Sequence, residues 1–315
     1  MNGAVVVVGN TVADLFVEAE HFPLGTDSEF GPLSLAVAQE AARLDVGGNA
    51  GRTAALLAEL GARVRLHTRL GSDLWGDWLR SELGRRGVDV VWGEGSVTST
   101  NFVATDAAGK RVSFFFPGSA DYGVPEVGAG TSFVMVAACP FPDITQLASW
   151  LPQLGAGVPS LVDPGPGILG RPGLAELARL AAPQTYLTVN GSELAELTGE
   201  GDVAGGLRQA HALGFRNIVV KLGSRGALVS SGARTGASLL PGEPLAEGAR
   251  STVGAGDAFN AGLVFGLANG FDLCASAALG NRVARRRLSG GQVGPGGAVE
   301  LLSHLDNDVN KAQEV

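Results

Sequence analysis

Cysteine, charge and proline are all scarce in this chain. Its two cysteines, Cys139 and Cys274, stand in apolar surroundings without metal-ligand spacing. That excludes a disulfide-stapled scaffold and a cysteine zinc site, and both read as small buried hydrophobes in a reducing compartment. Charged residues are only 17% of the 315, the formal net charge is −8, and the one basic run is Arg285, Arg286 and Arg287. An acidic chain of this kind argues against nucleic acid as a partner. The Arg triplet reads as the solvated last turn of a helix, where cations suit the dipole. No uncharged stretch is long enough to cross a bilayer, and MNGAVVVVGN lacks a basic flank, so it reads as a buried strand rather than a signal peptide. A cytoplasmic protein with no membrane partner is expected. Neither G-x-x-x-x-G-K-[ST] nor an early G-x-G-x-x-G occurs, which removes P-loop enzymes and ordinary dinucleotide dehydrogenases.

Glycine, by contrast, is abundant: 48 residues against 15 prolines, mostly between apolar runs. That pattern suits an α/β protein with many tight turns. Short apolar runs at 5–8, 64–68, 133–138, 159–163, 186–190 and 218–222 read as buried parallel strands. Helical spacing appears at 50–60, 74–86, 145–154, 173–180, 192–197, 203–213, 254–268 and 275–288. Residues 227–230 and 233–240 read as an edge hairpin. The alternation predicts one domain over 1–315: a three-layer, mostly parallel central sheet flanked by helices. Two segments break the rhythm, 14–44 and 101–116. The second is a hairpin around Asp106-Ala107-Ala108-Gly109, and together the two predict a small β layer. Asp14, Asp163, Asn190 and Gly223 fall just after predicted strands, where open α/β sheets bind ligands.

The window 251–264, STVGAGDAFNAGLV, carries the most chemistry. Gly254, Ala255 and Gly256 can expose consecutive N–H groups at a helix start, a ready anion site. Asp257, one step inside, can take a proton from a hydroxyl while those amides hold negative charge opposite. This is the minimum equipment for moving a phosphoryl group onto an alcohol. Helix capping alone would also favour an Asp there.

Four windows in register resemble the ribokinase-like (PfkB) carbohydrate kinase family. Gly47-Gly48 with Ala54, Gly61 and Gly71 is similar to its N-terminal signature, and 251–264 to its C-terminal one. Asn190-Gly191-Ser192-Glu193 resembles its N-x-x-E motif, and Lys221 to Gly226 its nucleotide loop. The resemblance implies an ATP- and Mg²⁺-dependent kinase acting on a hydroxymethyl group of a sugar or sugar acid. It implies Asp257 as general base and the Gly254, Ala255 and Gly256 amides as anion hole. Asp14, Gly47 and Gly48 would contact the acceptor. Asn190, Lys221, Gly223, Gly226 and Asn281 would line the nucleotide site, with Asn190 and Glu193 ordering Mg²⁺ directly or through water. A β-sheet lid formed by about 14–44 and 98–118 would close over the site, and lid strands that pair across a two-fold axis would make a homodimer.

Two departures carry information. Arg52 stands where the family signature has a substrate-binding Asn. It implies an anionic acceptor, or transfer of the amide's task to Asn49; otherwise Arg52 turns outward or pairs with Asp45. Ser251 replaces the Asp of cation-activated relatives and implies weak or absent K⁺ dependence. Two other functions stay open. A nucleoside kinase of the same fold would need a stacking surface, with Phe114, Phe116 and Tyr122 as candidates. A non-catalytic sugar or nucleotide sensor would have no need of Asp257.

Overall fold

The computed structural model describes residues 3–19, 42–95, 97–107, 111–118, 130–137, 157–165, 178–232, 236–242, 253–291, 301–303 and 312–314. Its centre is a run of apolar strands: β1 (Ala4–Gly9), β4 (Val64–Gly71), β8 (Thr131–Ala137), β9 (Ser160–Asp163), β10 (Thr185–Asn190) and β11 (Asn217–Lys221). Each is rich in Val, Ile or Leu and almost wholly buried, as expected of strands covered on both faces. With β5 (Val88–Gly95) at one edge they pair in parallel in the order β5-β4-β1-β8-β9-β10-β11. Beyond β11 the sheet turns antiparallel through β12 (Gly226–Ser231), β13 (Ala237–Pro241) and the two-residue β14 (Gln313–Glu314). The edge hairpin is therefore where the sequence put it. β5 was not foreseen: it is half exposed, carries two glycines and shows no clean apolar run.

Helices α1 (Asn49–Glu59), α2 (Leu74–Arg85), α3 (Gly191–Thr198), α4 (Val203–Ala212), α5 (Ala255–Ala268) and α6 (Leu273–Leu288) connect these strands. Asp73, Asn190, Asp202 and Asp272 cap four of them with side-chain acceptors. α5 is buried continuously from Asp257 to Gly266, as a helix apolar on all sides must be, and packs between α1 and α6. One core cluster joins α1, α5 and α6 to Val5, Val7, Leu66, Phe133 and Met135 of the sheet. The other lies on the opposite face, where α3 and α4 cover Val6, Val8, Val134, Val189 and Ile218. Among the described residues the architecture is the layered α/β arrangement expected.

The two discordant segments form a separate four-stranded sheet, β3-β2-β6-β7. It comprises β2 (Val12–Ala19), β3 (Ala42–Gly47), β6 (Thr100–Asp106) and β7 (Arg111–Phe116). Residues 20–41, the turn at 108–110, the helix expected at 145–154 and most of that at 173–180 lie outside the described residues, as do Tyr122, Cys139 and Ser251. Cys274 is half-buried against the larger core. The Arg triplet does end a helix, α6, but Arg287 is not simply solvated: its Nη2 lies 3.4 Å from Asp45. No described helix is long and apolar enough to cross a membrane.

Gly226 fixes the turn from β11 into the edge hairpin. Its φ is +96°, and a Cβ there would lie 2.1 Å from the Leu240 carbonyl oxygen. Gly226→Ala is expected to cost about 2 kcal/mol or more, combining backbone strain with overlap. A urea midpoint equal to that of the parent would contradict this.

Candidate active site

Three strands end side by side on polar residues: Asp163 closes β9, Asn190 closes β10 and Lys221 closes β11. The β10–β11 register places Asn190 opposite Lys221. The α5 N-terminus comes down beside them. Gly254, with φ +82°, caps it without a side-chain hydrogen bond, and the first intrahelical bond runs from Ala258 N to the Gly254 carbonyl. The N–H groups of the first turn therefore have no helical acceptor. A Cβ on Gly256 would lie 3.9 Å from Lys221 Nζ, and one on Gly254 would lie 3.6 Å from Arg52 Cδ. Two cationic side chains thus flank the first-turn amides.

The Lys221 ammonium points inward. Its Nζ donates to Asp163 Oδ2 at 2.8 Å, and the same oxygen accepts from Asn260 Nδ2 at 2.5 Å. Asn260 Oδ1 accepts from Thr188 Oγ1 at 3.3 Å, and Gly165 N donates to Asp163 Oδ1 at 2.8 Å. Asp163 and Asn260 are buried, so the network locks three strand ends to α5. Burial alone would drive the ammonium toward neutrality; Asp163, Glu193 and Asp257 outweigh it and hold the Lys221 pKa above its ordinary value.

Asp257 is buried beside these charges. Desolvation is the largest cause that pushes its pKa up, to about 6, with Asp163 adding to it while Arg52 and Lys221 oppose. A second polar chain reaches it from the smaller sheet. Ser113 Oγ donates to Asn101 Oδ1 at 2.8 Å, and Asn101 Nδ2 donates to Asp14 Oδ1 at 3.2 Å. Arg52 Nη2 donates to Asp14 Oδ2, while Nη1 lies 3.5 Å from Asp257 Oδ2. Burial raises the Asp14 pKa, with Arg52 and Asn101 opposing.

Most residues singled out from sequence converge here, with several corrections. Asp14 is the third residue of β2 in the smaller sheet, not a residue ending β1. It faces Gly47, where a Cβ would overlap its carboxylate at 2.3 Å; this close approach explains the glycine better than turn geometry does. Gly48 (φ +75°) caps α1, and Asn49 begins it. Arg52 neither turns outward nor pairs with Asp45, which instead meets Arg43, Arg86 and Arg287. Asn190 and Glu193 form a capping box: Asn190 Oδ1 accepts from Glu193 N (2.8 Å) and Ser192 Oγ (2.7 Å), and Glu193 Oε2 accepts from Asn190 N (2.8 Å). Gly223 (φ +62°) starts an exposed 3-10 turn, Gly223–Arg225. Asn281 Nδ2 donates to the Leu240 carbonyl at 3.3 Å, tying α6 to β13. Phe114 and Phe116 alternate with Phe115, and Phe115 pairs with Asn101 on the face that carries Asp14. The two proposed stacking residues therefore point the other way, more than half exposed.

A family model for pfkB family carbohydrate kinases matches residues 3–294. The chain belongs to the pfkB carbohydrate kinase family. This pfkB member is accordingly an ATP-dependent sugar kinase. It is 28% identical over 274 residues to a 1-phosphofructokinase of Rhodobacter capsulatus, covering 81% of this chain and 83% of that one. Its fold matches the Arabidopsis thaliana ribokinase solved with ribose and ATP, at TM-score 0.74 and 22% identity over 96% of this chain and 99% of that one. It equally matches an adenosine kinase from Sinorhizobium meliloti, at TM-score 0.75 and 21% identity over 98% and 99%. At such identity the structural likenesses speak for the fold alone.

Sequence reasoning passed over Asn101, Ser113, Phe115, Asn260 and Thr188. Each is an ordinary strand or helix residue whose part emerges only from register and packing. Asp163 ended a predicted strand but carried no motif of its own.

Proposed function

We propose that this kinase transfers the terminal phosphoryl group of ATP to a hydroxymethyl group of a sugar or sugar acid, with Mg²⁺ as cofactor. The observation that carries the reading is the start of α5. There a buried carboxylate follows unbonded first-turn amides flanked by Arg52 and Lys221. Asp257 acts as general base: it takes the acceptor's hydroxyl proton as that oxygen attacks phosphorus and the bond to ADP breaks. The Gly254, Ala255 and Gly256 amides hold the developing negative charge. Asp14 accepts from acceptor hydroxyls, with the backbone of Gly47, Gly48 and Asn49 beside it. Asn190, Lys221, Gly223, Gly226 and Asn281 line the nucleotide site.

Oxygen donors such as Glu193 and Asn190 suit Mg²⁺, which neutralises phosphate charge when bound. Both groups already serve the capping box, so they would hold the ion through its water shell. The smaller sheet, as a lid formed by about 14–44 and 98–118, excludes water during transfer. Its outer face presents Leu15, Phe102, Phe114 and Phe116, an apolar surface that suits a second copy in a homodimer. Phe115, on the inner face, keeps a nucleoside acceptor as the second reading.

Two measurements test the proposal. ADP release with ribose, fructose, 2-keto-3-deoxygluconate, adenosine and inosine separates sugar from nucleoside acceptors. Tight sugar binding without ADP release from any of them would favour a sensor instead. The base must be ionised to act, and its pKa stands near 6. kcat/KM should therefore rise about tenfold between pH 5 and pH 7; a flat profile there would remove Asp257 from the role.

A further inference from the structure

Arg52 is the residue whose place in the fold its motif explains least. It rises from the first turn of α1 into the gap between the smaller sheet and α5. All three guanidinium nitrogens are engaged inside the chain. Nη2 meets Asp14 Oδ2, Nη1 lies 3.5 Å from Asp257 Oδ2, and Nε donates to the Val46 carbonyl at 3.4 Å. The Val46 contact pins the fork to the end of β3, and a Cβ on Gly254 would lie 3.6 Å from Cδ. A planar fork of five donors on three separated nitrogens suits this bridging, where a lysine offers a single nitrogen.

We propose that Arg52 is a positioning residue: an internal counter-ion shared by Asp14 and Asp257, which sets the separation of the two acids and is not a receptor for an anionic acceptor. The inference rests on the reading of Asp257 as base and Asp14 as acceptor grip. Charge counting supports it. Around Asp257 stand Arg52 from α1, Asp163 from β9 and Lys221 from β11, with Asp14 of β2 on the far side of Arg52. Three acids against two bases leave an acidic surplus, and Lys221 is already spent on Asp163. An acid group on the acceptor would have to break an existing pair and enter a negative cluster. A neutral polyol meets no such cost, so the acceptor is uncharged where it meets Asp14 and Asp257.

Removal of the guanidinium leaves Asp257 buried, facing Asp163 with only Lys221 in opposition, so its proton should be held more tightly. The test is a ¹³C-carboxyl NMR titration of the full-length, ligand-free protein, with the Asp257 signal assigned by its loss in Asp257→Asn. Arg52→Gln should move the Asp257 midpoint upward by at least about one pH unit, a tenfold change in proton affinity. Arg52→Lys keeps the charge, tests the geometry, and should give a smaller upward shift. If Arg52→Gln does not fold, the lysine variant decides. Midpoints within about 0.3 unit of the parent in every folded variant would overturn the inference. Turnover by Asp257→Asn judges the base reading separately: full activity there, with a shifted midpoint in the Arg52 variants, would keep the counter-ion and discard the base.

Discussion

Asp257→Asn should lower kcat by about 10²–10⁴-fold, the range that a positioned general base supplies. Asparagine keeps the shape and can still hydrogen-bond the acceptor, but it cannot take the proton. The helix should survive, because Arg52 keeps Asp14 as its counter-charge and the first-turn acid itself contributes only about 0.3–1 kcal/mol through the helix dipole. Nucleotide affinity should change little, since the amides of Gly254, Ala255 and Gly256 remain. Steady-state ADP release with saturating acceptor, beside calorimetric titration of ATP, separates the two effects. Near-parental kcat would remove the mechanism; loss of ATP binding in a folded variant would move Asp257 into the nucleotide site.

Lys221→Met should produce the largest loss of stability. The ammonium is 2.8 Å from Asp163 Oδ2, and Asp163 is buried at the end of β9. Without it, Asp163 keeps Asn260 and the Gly165 amide as donors but no formal counter-charge in contact. Breaking a buried pair from one side costs about 3–5 kcal/mol, a large share of the 5–15 kcal/mol that holds a typical domain together. The urea midpoint should fall with an unchanged slope. Asp163→Asn in the same chain should recover part of the loss, as coupled partners do. Activity should fall as well, because the same cation lies beside Gly256 and opposes protonation of Asp257. A parental midpoint would mean that the pair contributes nothing.

The main sheet was legible because its strands are buried on both faces. Val5 to Val8 and Ile218 to Val220 announce themselves as apolar runs, and the glycines after α1 and α2 mark where each helix stops. β5 escaped because an edge strand has no need of such a run. The smaller sheet was recognised as a β layer, but the order β3-β2-β6-β7 depends on which strands pair, which no local pattern encodes. Register is also what separates Phe115 from Phe114 and Phe116, a one-residue difference that sends a side chain to the other face. At the site, motif spacing brought Asp14, Arg52, Lys221 and Asp257 into view one by one. What tied them together is long-range electrostatics. Arg52 and Asp14 lie 38 positions apart and Lys221 and Asp163 58, so neither pair leaves a mark in any short window.

A crystal structure with Mg²⁺ and a non-hydrolysable ATP analogue will show where the phosphates lie relative to α5. The terminal phosphate is expected on the N–H groups of Gly254, Ala255 and Gly256, with the Asp257 carboxylate facing the phosphorus from the side of Asp14. A nucleotide bound with its phosphates away from the start of α5, or an Asp257 turned out of the cleft, would contradict it.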